Sequence, residues 1–131
     1  MALQLVLVRD NRVLFRFPIR DGGQASAVTP DVEVDRLSSL CSIGANRRRL
    51  KVMLEFARGR EMRFSEILML ATNPKLAQDC LQPLVTEGLV LHGERGSTYR
   101  ASARGVALAV TMSVGLGQLF GVLQKELEGE V

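Results

Sequence analysis

The chain has little of what metal centres, disulfide frameworks and nucleophilic triads are made from: one histidine and two cysteines in 131 residues. Cys41 and Cys80 lie far apart and match neither a disulfide framework nor a zinc-ligand spacing. His92 has no Cys, His or acidic companion at ligand or triad spacing, so it reads as a strand residue rather than a metal ligand or base. With no nucleophile, base or metal set to assemble, neither catalytic activity nor a cofactor is expected. Cysteine usage of this kind fits a reducing, cytoplasmic setting. The N-terminal apolar run is short, contains Gln4 and passes at once into charged residues without a small-residue cleavage site, so it is not expected to be a signal peptide. Charge is missing altogether from residues 105–124.

What is present is ordinary for a globular protein: 47% hydrophobic and 24% charged residues, at a length that can bury a core without disulfides or metal. The net charge of +3 is unevenly spread. Residues 1–45 carry five Arg against five acids, residues 46–104 eleven Lys or Arg against six acids, and residues 105–131 one Lys against three Glu. The middle of the chain therefore holds the positive excess, as expected of a segment that meets a polyanion.

That middle segment centres on residues 64–90, FSEILMLATNPKLAQDCLQPLVTEGLV. Ser65 is expected to cap a short helix carrying Ile67, Leu68, Leu70 and Ala71. A turn follows at Thr72 and Asn73, and Pro74 opens a second helix, where its fixed φ and missing N–H do no harm. Leu76, Ala77, Cys80, Leu81, Leu84 and Val85 make one apolar stripe at helical spacing, and Lys75, Gln78, Asp79 and Gln82 face the other way. Gly88 supplies a left-handed end. Such a pair is either plain core or a helix that offers a polar row to a partner. Pro83 removes one hydrogen bond from the second helix and is expected to bend its last turn.

The flanks extend the pattern. Residues 3–8 and 12–17 read as strands of a β-hairpin, because Asp10 and Asn11 tolerate positive φ. Val13, Phe15 and Phe17 are expected on one face, with Arg12, Leu14 and Arg16 on the other, and Pro18 is expected to stop the pairing. A lone hairpin is marginal in water and needs something to pack on. Residues 21–29 read as a connector. Thr29 and Pro30 are expected to open a helix with Asp31, Glu33 and Asp35 early in it and Val34, Leu37 and Leu40 as its stripe. Asn46 is expected to cap the next helix, whose stripe is Leu50, Met53, Leu54 and Ala57.

That helix begins with Arg47, Arg48, Arg49 and Lys51. Cations at a helix N-terminus oppose the macrodipole by roughly a few tenths of a kcal/mol each. Phosphate contact would account for them, and a solvated basic face is the plainer alternative. Residues 89–92 and 98–100 read as two strands about a turn that carries Arg95. Ser102 is expected to cap a final long helix. Its uncharged stretch is of membrane-spanning length, but Thr111, Ser113, Gln118 and four glycines dilute it, and basic residues do not cluster beside it. Val106, Ala109, Met112, Leu116, Leu119, Phe120, Leu123 and Leu127 follow helical spacing, which favours a helix buried between subunits over a C-terminal anchor. A redox role for Cys41 and Cys80 is the weakest reading, since Cys80 lies on an apolar stripe.

The runs GANRRRLKVMLEFARG, FSEIL, NPKLAQDCLQPLVTEGLV, GERGSTYR and SARG follow one another in the order of a winged helix-turn-helix. Over residues 43–105, about half the chain, the sequence resembles arsenic-repressor-type and related archaeal winged-helix regulators. The resemblance implies a dimer that sets the helix from Pro74 in the major groove, with Lys75, Gln78, Asp79 and Gln82 facing base edges and the wing residues Arg95 and Arg100 along the backbone. Pro83 departs from the pattern, and so does the N-terminal hairpin. The cysteine-rich metal-sensing motif of some such regulators is absent.

The expectation is thus an α+β, mainly α protein: a winged helix-turn-helix (residues 29–104) with an N-terminal β-hairpin and linker (1–28) and a long C-terminal dimerisation helix (105–131). The expected function is sequence-specific binding of double-stranded DNA as a homodimeric transcription regulator. DNA contacts are expected from Arg47, Arg48, Arg49, Lys75, Gln78, Asp79, Gln82, Arg95 and Arg100, and subunit contacts from Met112, Leu116, Leu119, Phe120 and Leu123. The alternative is a protein-interaction module that works through the hairpin, without sequence-specific DNA binding.

Overall fold

A computed structural model describes residues 3–20, 31–93 and 98–129. The protein is α+β and mainly helical, with two small antiparallel sheets. The chain divides into two compact units, Met1–Val34 and Asp35–Val131.

The first unit is the hairpin of β1 (Leu3–Arg9) and β2 (Arg12–Arg20). Asp10 and Asn11 take φ of 50° and 62°, the paired positive values of a two-residue turn whose twist suits the strands. Two expectations fail here. Pro18 does not stop the pairing: it lies opposite Gln4, and a register shift between Leu3 and Gln4 carries β2 on to Arg20. A proline is tolerated in a two-stranded ribbon because each strand has an outer edge that needs no ladder bond. A second shift between Leu7 and Val8 puts Val13 opposite Val8 and Phe15 opposite Leu7. Neighbouring strand residues face opposite sides, so the irregularity takes Val13 out of the face that Phe15 and Phe17 share. Those two rings stack with centroids 6.4 Å apart.

Helix α1 (Val34–Gly44) begins at the boundary between the units, and all of it from Asp35 on belongs to the second. Asp31, Val32 and Glu33 are not helical, so only Asp35 of the expected acids lies in the first turn. The expected helix opening at Thr29 and Pro30 lies outside the described residues, as does the connector. Asn46 caps α2 (Arg47–Ala57) by accepting from the Arg49 N–H at 3.0 Å. The α2 stripe is wider than periodicity suggested. Val52 and Phe56 are as fully buried as Met53, while Leu50, Leu54 and Ala57 are partly covered.

Two residues, Met62 and Arg63, then form the short strand β3, which periodicity could not announce because so brief a strand has none. Met62 is fully buried. Helix α3 (Phe64–Ala71) starts two residues earlier than a cap at Ser65 implies, and Ser65 lies inside it instead of capping it. Arg63 occupies the cap position. Its side chain has no acceptor, so only the reciprocal half of a capping box exists: the Arg63 N–H donates to the Glu66 carboxylate at 3.3 Å. Arg60 donates to the same carboxylate at 2.7 Å and reaches Glu55 at 3.5 Å, while Arg58 pairs with Glu55 at 2.9 Å.

Thr72 turns the chain at φ 78°, and Asn73 caps α4 (Pro74–Thr86) by accepting from the Leu76 N–H at 2.9 Å. Ala77, Cys80, Leu81 and Leu84 are buried. Gly88, at φ 71°, closes α4 in a Schellman motif: its N–H donates to Val85 O and that of Leu89 to Leu84 O, with Leu84 and Leu89 both buried.

Strands β4 (Val90–His92) and β5 (Thr98–Ala101) follow, and the sheet order is β3-β5-β4, so β5 is central to three strands rather than one of two. His92 pairs across to Tyr99 and stacks on its ring at 4.3 Å. Ser102 caps the last helix by accepting from the Gly105 N–H at 3.0 Å, and its hydroxyl donates to Gly88 O at 2.6 Å. A continuous helical rod, Ala103–Glu128, runs as α5 (Ala103–Val110), a π-helical stretch Thr111–Leu119, and α6 (Phe120–Glu128). The π stretch breaks the expected 3.6-residue register. Its wider i→i+5 bonding rotates the later side chains relative to an uninterrupted α-helix.

Two glycines record close approaches. A Cβ on Gly44 would overlap the Met112 side chain, and one on Gly105 would overlap the Leu89 carbonyl oxygen. The second neighbour is backbone and cannot step aside. Gly105→Ala is therefore expected to lower stability by about 1–3 kcal/mol, read as a lower denaturant midpoint at unchanged m-value.

The Arg63 backbone hydrogen bond first, and then the Arg60 hydrogen bond, hold the Glu66 carboxyl below its ordinary value of 4.5. A lowered folded-state value stabilises the fold above the unfolded value and is lost as pH falls through the lowered one. Unfolding of Glu66→Gln is thus expected to depend less on pH below 4.5 than that of the parent protein, in an acid titration of the denaturant midpoint.

Candidate nucleic-acid interface

The polar row of α4 stands as spacing requires. Lys75, Gln78, Asp79 and Gln82 are all exposed, at i, i+3, i+4 and i+7 on one face, while the opposite face supplies Ala77, Cys80, Leu81 and Leu84 to the core. The cap at Asn73 and the Schellman end at Gly88 fix both ends of the helix, and α3 and α2 pack against it. The row is thus displayed on a helix fixed at both ends and along its inner face.

Beside it lies a basic concavity of about 460 Å³, lined by Asn46, Arg47, Arg48, Lys51 and Leu70. The first four belong to the start of α2, and Leu70 belongs to the last turn of α3, just ahead of the turn into α4. Arg47, Arg48 and Lys51 are exposed and make no ion pair with another described residue. Positive side chains and the unpaired N–H groups of a helix N-terminus attract the same ligand, an anionic oxygen. Lys51 belonged to the basic cluster from the start but was not among the expected contacts. Its i+4 spacing from Arg47 was the signal for it.

Arg49 behaves differently from its two neighbours. It is only partly exposed, and its guanidinium turns inward, donating from Nη1 to Ile43 O and from Nη2 to Asp79 O, each at 3.3 Å. What separates it from Arg47 and Arg48 is its contact with α1 and α4, over whose junction with α2 it lies. Its charge is committed within the chain.

Arg100 is exposed on β5, opposite Leu91, and does not line the concavity. Arg95 lies outside the described residues. Cys80 is buried, and desolvation pushes its thiol pKa up, with Arg49 and Arg48 pulling the other way. A raised pKa leaves little thiolate for oxidation or exchange. Cys41 is exposed, and both thiols are free. Among the described residues no group of three or more His, Cys, Asp or Glu side chains is gathered as a metal site would need.

The residues expected between subunits divide. Met112 packs against Gly44 and the core of its own chain. Leu119 and Leu123 are partly covered, and Leu116 and Phe120 stand 66% and 61% exposed. Between α1 and the rod runs an open apolar groove of about 300 Å³, which includes Leu37, Leu40, Cys41, Met112 and Leu116. Comparison of the chain with family models, with curated proteins and with solved structures finds no match in any of the three.

Proposed function

We propose that this protein is a winged helix-turn-helix regulator that binds double-stranded DNA in a sequence-specific manner as a homodimer. The observation that carries the reading is the pairing of an exposed polar row on α4 with a basic concavity at the start of α2. In this reading α3 and α4 are the helix pair, β4 and β5 the wing, and α4 enters the major groove. Lys75 suits guanine O6 and N7, Gln78 and Gln82 suit adenine, and Asp79 accepts from cytosine N4. Arg47, Arg48 and Lys51 take phosphates and supply most of the affinity, with Arg100 and Arg95 following the backbone from the wing. The reading assigns no catalytic step to any residue and places the protein in the cytoplasm.

The rod supports the dimer. Over an 18-residue window it has a mean hydropathy of 1.9, and only 6% of that window is buried within the chain. A contiguous apolar face of that kind is covered by a partner subunit or by lipid. The intrachain packing of Met112 at its N-terminal half, the four glycines and the acidic end favour the subunit.

One observation favours a second reading, in which the protein is a partner-binding module. The hairpin exposes large apolar side chains, among them Leu7 at 58%, Leu14 at 55% and Phe15 at 50%, and such a surface suits strand or face addition by another protein.

Selection of bound fragments from a genomic DNA pool is expected to return a two-fold symmetric site. Affinity for that site is expected to fall steeply with salt. Replacing Arg47, Arg48 and Lys51 together by Ala is expected to flatten the log–log slope by roughly 0.9 for each phosphate left without its cation. Binding that neither enriches a sequence nor responds to salt or to the triple substitution overturns the DNA reading and leaves the module.

The protein purified without detergent is expected to sediment as a dimer, and Leu116→Asp with Phe120→Asp to convert it to a monomer. Partition of the parent protein into membranes, with the double variant released to solution, would assign the rod to the bilayer instead.

A further inference from the structure

Pro83 lies inside α4, and its ring nitrogen carries no hydrogen. The carbonyl four residues earlier, that of Asp79, therefore has no helical donor. At the C-terminal end of α1 the Ile43 carbonyl lacks one as well, because the last four carbonyls of any helix are left over. These two acceptors, orphaned for different reasons on different helices, are the ones the Arg49 guanidinium meets, Nη2 on Asp79 O and Nη1 on Ile43 O. A guanidinium offers a planar fork of donors that an ammonium cannot match. Its position is set from below by α2, whose first turn is pinned when the Arg49 N–H donates to Asn46.

We propose that Arg49 is a positioning residue: it replaces the hydrogen bond that Pro83 removes from α4 and ties the middle turn of that helix to the end of α1. Asp79 belongs to the exposed polar row, with Gln78 before it and Gln82 one turn on. The brace thus holds the backbone from which the base-facing side chains project. It also makes the α1–α2–α4 junction one hydrogen-bonded unit. The part of the proposal that concerns base reading rests on the DNA-binding function proposed above. The part that concerns the brace does not.

A double-mutant cycle tests it. Pro83→Ala gives the Asp79 carbonyl a backbone donor, so Arg49 loses one of its two tasks. Arg49→Ala is expected to lower the folding equilibrium constant about tenfold in the parent protein and about threefold or less in the Pro83→Ala background, measured by denaturant unfolding. Equal losses in the two backgrounds overturn the brace. Should Arg49→Ala not fold, Arg49→Lys carries the same cycle, since a lysine retains the charge but not the fork.

On DNA, Arg49→Ala is expected to reduce discrimination between the selected site and random sequence several-fold while leaving the salt slope unchanged. Arg47→Ala is expected to weaken both DNAs alike and to flatten the slope. A slope flattened by Arg49→Ala as much as by Arg47→Ala makes Arg49 a phosphate contact and overturns its assignment as a positioning residue. If no variant binds DNA, the unfolding cycle still decides the brace, and the failure falls on the proposed function instead.

Discussion

Much of the second unit hangs on the backbone of Leu89. Its N–H closes α4 by donating to Leu84 O, and its carbonyl accepts from the Ser102 N–H at 2.9 Å. That same carbonyl is the surface against which Gly105 is pressed. One residue therefore ends the helix with the polar row, begins the sheet and seats the C-terminal rod. Because Leu89 is fully buried, these bonds have no competition from water and leaving them unmade would be costly. The left-handed turn at Gly88 makes this convergence possible, since it lets the chain leave α4 and enter β4 without a loop.

Around that junction, polar and charged groups serve two distinct purposes. One set completes the backbone: Asn46, Asn73, Glu66 and Ser102 each accept from an N–H that a helix start leaves unpaired, and Arg49 donates to the carbonyls of Ile43 and Asp79. The other set stands clear of the fold. Arg47, Arg48 and Lys51 line an open concavity, and Lys75, Gln78, Asp79 and Gln82 make an exposed row. Arg49 belongs to the first set although it sits in the middle of the basic cluster that leads the second. The proposal of a nucleic-acid partner therefore rests on seven side chains that the fold does not use, and the proposal about Arg49 on one that it does.

Among the described residues, much of the exposed apolar surface lies on the hairpin and on the rod, with Val34, Leu37 and Met69 exposed elsewhere. Both carry large side chains that the chain itself does not cover, including Leu7 and Phe15 on the hairpin and Leu116 and Phe120 on the rod. Met112 and Leu116 line the same groove beside α1, but Met112 reaches Gly44 and the core while Leu116 is left 66% exposed.

The sequence alone determined those features whose causes are local. The hairpin turn at Asp10 and Asn11, the starts of α2 and α4 at Asn46 and Pro74, the end of α4 at Gly88 and the exposed row from Lys75 to Gln82 all follow from backbone preference and periodicity within a few residues. Tertiary structure decided what depends on partners distant in the chain. Strand β3 exists because Met62 finds Tyr99, thirty-seven positions on. The pairing past Pro18 needs a register shift that no single strand encodes. Above all, the three arginines at 47–49 are equivalent in a sequence, and only the arrival of α1 and α4, each with an unsatisfied carbonyl, separates the one that braces the fold from the two left open to a partner.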